Sequence, residues 1–161
     1  VLLARIVDGA PQTSVMYFPM LDELYVAQRG QGATLNDRPL VVRPPSELNP
    51  LSFFACCSRT HRRYRVGLRF KTRIVGSTAY TLCTVARSIA VVGFEATPKI
   101  WDLAAPWLLV QEAGGLVETY DRQPPFPLQA GVDYARQSFP LLAAANPHML
   151  QLAREAIQPI V

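Results

Sequence analysis

Three groups of residues in this sequence have types and spacing that chemistry could use. The first is Asp102, in KIWDLAAPWLLVQEAGG (99–115), where a carboxylate stands behind a tryptophan in the first turn of an apolar helical pattern. A carboxylate at a helix start accepts backbone N–H bonds and is favoured by the helix dipole, so capping is its commoner use and holding a ligand the other. Pro106, one turn further on, cannot donate to the Asp102 carbonyl and crowds it, which predicts an irregular first turn. The second group is SRTHRRYRVGLRFKTR (58–73), in which Arg59, Arg62, Arg63, Arg65, Arg69, Lys71 and Arg73 occur without one acidic residue. Singly each reads as a charge on a solvated loop; together they make a positive field suited to a phosphate ester. Aromatic residues are too thinly interleaved for an RNA-binding groove. The third group is VGSTA (75–79), a glycine between a strand pattern and a helix pattern. Such a junction offers free backbone N–H groups and a hydroxyl to an anion, although Gly and Ser also serve turns for purely steric reasons.

The elements that must position these residues follow from periodicity. Residues 1–42 alternate strand patterns (1–7, 13–18, 23–28, 33–36 and 39–42) with the short turns DGAP, RGQG and DR, which predicts an antiparallel meander. PLSFFACC (50–57) is a continuous apolar run of strand length, and 73–75 is a short strand candidate. Ala79, Tyr80, Leu82, Cys83, Val85, Ala86, Ile89 and Ala90 recur at helical spacing, which predicts a helix from Ser77, its cap, to Val91. A strand at 93–95 precedes the helix 102–113, which Gly114 closes in a left-handed conformation. Then come a strand at 116–120, a proline-rich surface excursion over 121–138, and an apolar strand at 139–145. Asn146 and Pro147 start a last helix that runs to Ile157. The chain therefore divides into a meander, 1–42, and an α/β lobe, 50–161, of alternating strands and helices.

Composition bounds the function classes. With 161 residues, half of them hydrophobic, the chain can bury a sizeable core as one domain or one large lobe. Sixteen Lys and Arg against twelve Asp and Glu give +4, too mild for a nucleic-acid protein and compatible with a small anionic ligand. No apolar run approaches the roughly 18 residues of a membrane span, and no secretory leader pattern is present, so the expectation is a cytoplasmic protein. Cys56, Cys57 and Cys83 fit neither a disulfide framework nor a zinc site and read as reduced core thiols. The start at Val1, inside an apolar run, reads as a piece of something longer.

The order of three motifs carries further. DELYVAQRGQGATLNDRPL (22–40), VGSTAYTLCTVA (75–86) and GFEATPKIWDLAAPWLLVQEAGG (93–115), in that order, resemble the inositol monophosphatase family of metal-dependent phosphatases. The resemblance implies a layered sandwich of alternating sheets and helices. It makes Asp102 a Mg2+ ligand as well as a cap, Glu95 an acceptor for a substrate hydroxyl, and Gly76, Ser77 and Thr78 a substrate-contacting turn. Ser58 falls near another substrate loop, in which Cys57 replaces a small polar residue. The family's N-terminal acidic pair and its "DPxDGT" motif are absent from this sequence, which implies that 1–161 is the C-terminal portion of such a domain and inactive by itself. Asp8, Asp22, Glu23 and Asp37 stand in meander turns and give no reason to be recruited instead. The implied function of the intact protein is Mg2+-dependent hydrolysis, by metal-activated water, of inositol monophosphate or a related sugar or nucleotide phosphate. The alternative is a non-catalytic family member acting as a dimer partner or regulatory subunit. The partners expected are a small phosphorylated metabolite and a second copy in a homodimer, with neither nucleic acid nor membrane.

Overall fold

The computed structural model describes residues 1–45 and 51–160. Tight turns between alternating segments make the first forty residues pair with their sequence neighbours. Strands β1 (Leu2–Val7), β2 (Ala10–Phe18), β3 (Glu23–Gln28), β4 (Gly32–Leu35) and β5 (Arg38–Leu40) form one antiparallel sheet in that order. The β4–β5 hairpin turns on Asn36 and Asp37, both at positive φ (48° and 61°), as a two-residue connection with the right twist requires. One face of this meander buries Met16, Tyr25, Ala27, Ala33 and Leu40.

Beyond it the chain runs through β6 (Phe53–Cys56), α1 (Thr60–Arg63), β7 (Tyr64–Val66), β8 (Lys71–Ile74), α2 (Thr78–Ala86), β9 (Ala90–Glu95), α3 (Ile100–Glu112) and β10 (Leu116–Thr119). A single 3-10 turn at Tyr134–Arg136 is followed by β11 (Leu141–Ala144), α4 (Pro147–Ala156) and β12 (Ile157–Pro159). The second sheet has the order β10-β11-β9-β6-β8; β6 runs parallel to both its neighbours and β11 antiparallel to both of its own. The inner strands β6, β9 and β11 of this sheet are covered on both faces, so they read as unbroken apolar runs, whereas the edge strand β8 is exposed. Leu141 and Ala143 join the core that holds α2, α3 and the meander, while Leu142 and Ala144 join Met149 and Ala153 of α4 on the other side. The layers are thus meander, α2 with α3, mixed sheet, α4. The layered α/β sandwich expected from the sequence is the fold observed.

Both middle helices are tied to the meander at their C-terminal ends. Arg87, following α2, pairs with Glu23 at 2.5 Å, and the Tyr25 hydroxyl donates to the same carboxylate at 2.7 Å. Glu112, the last residue of α3, accepts the backbone N–H of Gly30 and of Gly32, each at 2.9 Å.

Several boundaries differ from expectation. The helix predicted to reach Val91 ends at Ala86, because Ser88 turns the chain with φ 62° and Ala90–Glu95 enters the centre of the sheet, every residue buried. Ala90 continues a helical count for a different reason, that of a strand covered on both faces, while Ile89 is an exposed residue of the turn before it. Helix α3 starts at Ile100, two residues early, and runs unbroken past Pro106, so the irregular first turn is not found. The short strand lies at 71–74 instead of 73–75, and the basic segment expected to be loop contains α1 and β7. Pro50, at the start of the predicted strand 50–57, lies outside the described residues. Asn146 caps α4 as expected, its side-chain oxygen accepting from Met149 N at 2.9 Å. Among the described residues no helix is long and apolar enough to cross a membrane.

Candidate functional site

Because β8, β6 and β9 are parallel, their carboxyl ends fall on one edge of the sheet, with Cys56 in register with Ile74 on one side and Phe94 on the other. The segments leaving those three ends must therefore gather in one place, the usual location of a binding crevice in an open α/β sheet. They enclose an open cleft of about 430 Å3 lined by Cys57, Ser58 and Arg59 after β6, by Gly76, Ser77, Thr78 and Ala79 after β8, and by Glu95, Thr97 and Asp102 after β9, with Leu2 at its edge. Ser58, Gly76, Ser77, Thr78, Glu95 and Asp102, all six residues singled out in the sequence, are among them.

Asp102 is the third residue of α3. Its Oδ2 accepts the backbone N–H of Lys99, the residue before the helix, at 2.9 Å, so the carboxylate ties the helix start from within. Lys99 has no side-chain acceptor to offer; its Nζ instead donates to the Ala135 and Gln137 carbonyls at 2.9 and 2.8 Å, anchoring the 121–138 excursion beside the cleft. The Asp102 carboxylate is half-buried, so one oxygen serves the cap while the group still borders the cleft.

Glu95 ends β9 and is 3% exposed. Burial pushes its carboxyl above the ordinary carboxylate range, opposed by the Thr81 and Thr78 hydroxyls and the Cys57 thiol, and reinforced by the Asp102 charge. Thr78 Oγ1 donates to its Oε2 at 3.2 Å. On the third side, Gly76 takes φ +74°, a conformation that lets the chain leave β8 and enter α2 within three residues. Ser77 then caps α2, its Oγ accepting from Tyr80 N at 3.3 Å.

The loop after β6 is held by sulfur. Cys57 Sγ lies 3.3 Å from Thr60 Oγ1 and accepts the backbone N–H of Ala96 at 3.4 Å, so the residue that departs from a small polar one joins this loop to the segment after Glu95. Burial pushes the neighbouring Cys56 thiol up to about 11, and that of Cys83 higher still, as inert core thiols require.

The basic segment does not gather at the cleft. Of its seven cations only Arg59 lines it; Arg73 instead stacks on the Phe53 ring, 4.5 Å from the centroid, at another pocket. Thr97, Ala79 and Leu2 were not anticipated. Thr97 could have been, as a hydroxyl lying between Glu95 and Asp102 in the chain. As for a metal, Asp102 offers the hard oxygen that Mg2+ prefers, but Mg2+ wants about six oxygens in octahedral array. Among the described residues no group of three or more His, Cys, Asp or Glu stands together to hold a metal ion. The cleft carboxylates therefore do not complete a Mg2+ site on their own.

Comparison with known proteins agrees with this architecture. Residues 1–158 match the model of the inositol monophosphatase family. The chain is 36% identical over 127 residues, 73% of its length and 46% of the relative's, to the Nus factor SuhB of Xylella fastidiosa. It is 31% identical over 163 residues, 92% of its length and 55% of the relative's, to inositol monophosphatase 1 of Solanum lycopersicum. Its structure resembles that of the inositol monophosphatase from Anabaena (Nostoc) sp. PCC 7120 with a TM-score of 0.72 and 28% identity, covering 95% of this chain and 61% of that one. The chain spans about half the length of the curated relatives it matches. On the fold, the motif order and these matches, it belongs to the inositol monophosphatase family.

Proposed function

We propose that this chain forms the leaving-group side of a Mg2+-dependent phosphomonoesterase site. In the intact protein water attacks the phosphorus of a small phosphate monoester, the bond from phosphorus to the ester oxygen breaks, and the alcohol leaves with a proton. The substrate is inositol monophosphate or a related sugar or nucleotide phosphate. The observation that carries this reading is the convergence of Asp102, Glu95, Ser58 and the Gly76–Thr78 turn on one cleft at the ends of three parallel strands. Asp102 would supply one oxygen to a Mg2+, and such an ion, when bound, would activate water and steady the leaving oxygen. Glu95, steadied by Thr78, accepts a substrate hydroxyl, and the backbone of the Gly76–Thr78 turn and Ser58 orient the alcohol portion. The active form is a cytoplasmic homodimer.

A second reading, a non-catalytic regulatory subunit, is favoured by the missing metal donors among the described residues and by relatives named Nus factors. The two are separated by reading the coding sequence upstream of Val1 and assaying phosphate release from the full-length protein against Mg2+ concentration. A "DPxDGT" motif with Mg2+-dependent release is expected, and none from residues 1–161 alone. A full-length protein without that motif that released no phosphate from any ester at any Mg2+ concentration would establish the regulatory reading instead.

A further inference from the structure

The cleft brings two carboxylates and one arginine together, and the arginine pairs with neither. Arg59 lines the cleft beside Glu95 and Asp102, yet it forms no ion pair among the described residues. Its Nη1 donates to Thr97 Oγ1 at 3.0 Å. The loop that carries it is fixed from below: Thr60 is fully buried, its N–H donates to the Cys57 carbonyl at 3.1 Å, and the Cys57 sulfur joins Thr60 Oγ1 to Ala96 N. Residues 57–60 are thereby stitched to 96–97, just past Glu95. The guanidinium is thus held at one point of the cleft wall, with the rest of its N–H fork left without a protein partner among the described residues. An arginine in that condition matches a carboxylate or phosphate, to which it can donate two parallel bonds. The charge is specific to this residue, because the other six cations of 58–73 do not line the cleft.

Resting on the phosphomonoesterase reading, we propose that Arg59 is a specificity-determining residue that binds a second anionic group on the alcohol portion of the substrate. The phosphoryl group being cleaved belongs with Asp102 and its metal. Arg59 stands on the loop after β6 and Asp102 in the first turn of α3, so the two can serve separate groups across the cleft. The preferred substrates are then monoesters that carry a further phosphate or carboxylate. Esters of neutral polyols rank below them, and esters whose alcohol bears a cation rank lowest.

The test is kcat/KM of the full-length protein with Mg2+ on a panel sorted by the charge of the alcohol. Glycerol 2-phosphate and inositol 1-phosphate are neutral, and histidinol phosphate is cationic. Fructose 1,6-bisphosphate and adenosine 3′,5′-bisphosphate carry a second phosphate, and 2-phosphoglycerate carries a carboxylate. The wild type is expected to favour the doubly anionic esters by at least about tenfold, the worth of one charge-assisted hydrogen bond. Arg59→Gln should collapse that ratio, chiefly through KM, and Arg59→Lys should restore part of it. The proposal is overturned if the ratio is unchanged in Arg59→Gln, or if the variant loses the same factor on every ester, the mark of contact with the reacting phosphate itself. Calorimetric binding of adenosine 5′-monophosphate against adenosine, in Mg2+-free buffer, keeps the two readings apart. If no ester is cleaved, the phosphatase reading fails while the loss or retention of nucleotide binding in Arg59→Gln still decides the role of Arg59.

Discussion

Helix α2 begins with a hydroxyl, Ser77, outside the helix and has no acidic residue in its first turn. Helix α3 begins with Lys99 and carries its carboxylate, Asp102, three residues inside. Both starts open on the same cleft, yet the positive end of one dipole stays open to an oxygen acceptor while that of the other is occupied in holding an anion. The pair teaches that a helix start can be satisfied from outside or from inside, and that the choice decides the sign of the wall it presents. On the proposed reading, one wall of the cleft would receive ester oxygens and the other a cation or a hydroxyl proton.

The sharpest way to break this contrast is Asp102→Asn. An asparagine still accepts from Lys99 N, so the fold should lose less than about 1 kcal/mol, mostly the dipole contribution. Turnover of the full-length protein should fall roughly a hundredfold or more and Mg2+ affinity should drop, because a charged oxygen becomes a neutral one. Wild-type Mg2+ dependence and rate in this variant would make Asp102 a cap and nothing more. On the α2 side, Gly76→Ala should cost about 1–2 kcal/mol from left-handed backbone strain alone, since nothing lies within 4 Å of the added carbon. Gly114→Ala, at φ +85° with equally open space after α3, is its control: denaturation midpoints should shift alike, but only Gly76→Ala should raise KM. Equal KM values would remove the turn from the substrate's path. Ser77→Ala should cost about 1 kcal/mol as a lost cap, read by thermal melting. Least in size, Glu95→Gln should stabilise the metal-free protein at neutral pH. Burial raises the carboxyl above 4.5 in the folded state, so wild-type stability falls as pH rises from there through the folded value. The advantage of the glutamine should therefore vanish below about pH 4, and an advantage independent of pH would mean that charge is not its source.

The resemblance in motif order singled out residues that the fold brings to one cleft, whereas periodicity misplaced several element borders. Asp102, Glu95, Ser58 and the Gly76–Thr78 turn sit in segments whose spacing is dictated by three parallel strand ends, and such spacing survives in the chain as recognisable words. The errors have local causes. Ala90 and Val91 extended a helical pattern because a strand buried on both faces has no period of its own. The start of α3 was placed late because Thr97, Pro98 and Lys99 include no residue whose side chain caps the helix, the cap being supplied from Asp102 downstream. The role of Arg59 was diluted among six other cations because linear sequence cannot say which charge on a segment turns toward a cleft.

The Glu112 carboxylate, clasping the two glycine amides of the Arg29–Gly32 turn, has a consequence for engineering. Helix α3 is about 20 Å long, with Asp102 near one end and that clasp at the other, so the turn tethers the last residue of the helix that carries Asp102. Exposed hairpin turns are ordinarily the first choice for inserting a tag or a label, since their backbones have few obligations. This one has an obligation to the far side of the molecule. An insertion there would leave the meander strands paired and yet remove the two N–H donors that hold the last turn of α3, loosening the end of the helix whose other end carries Asp102.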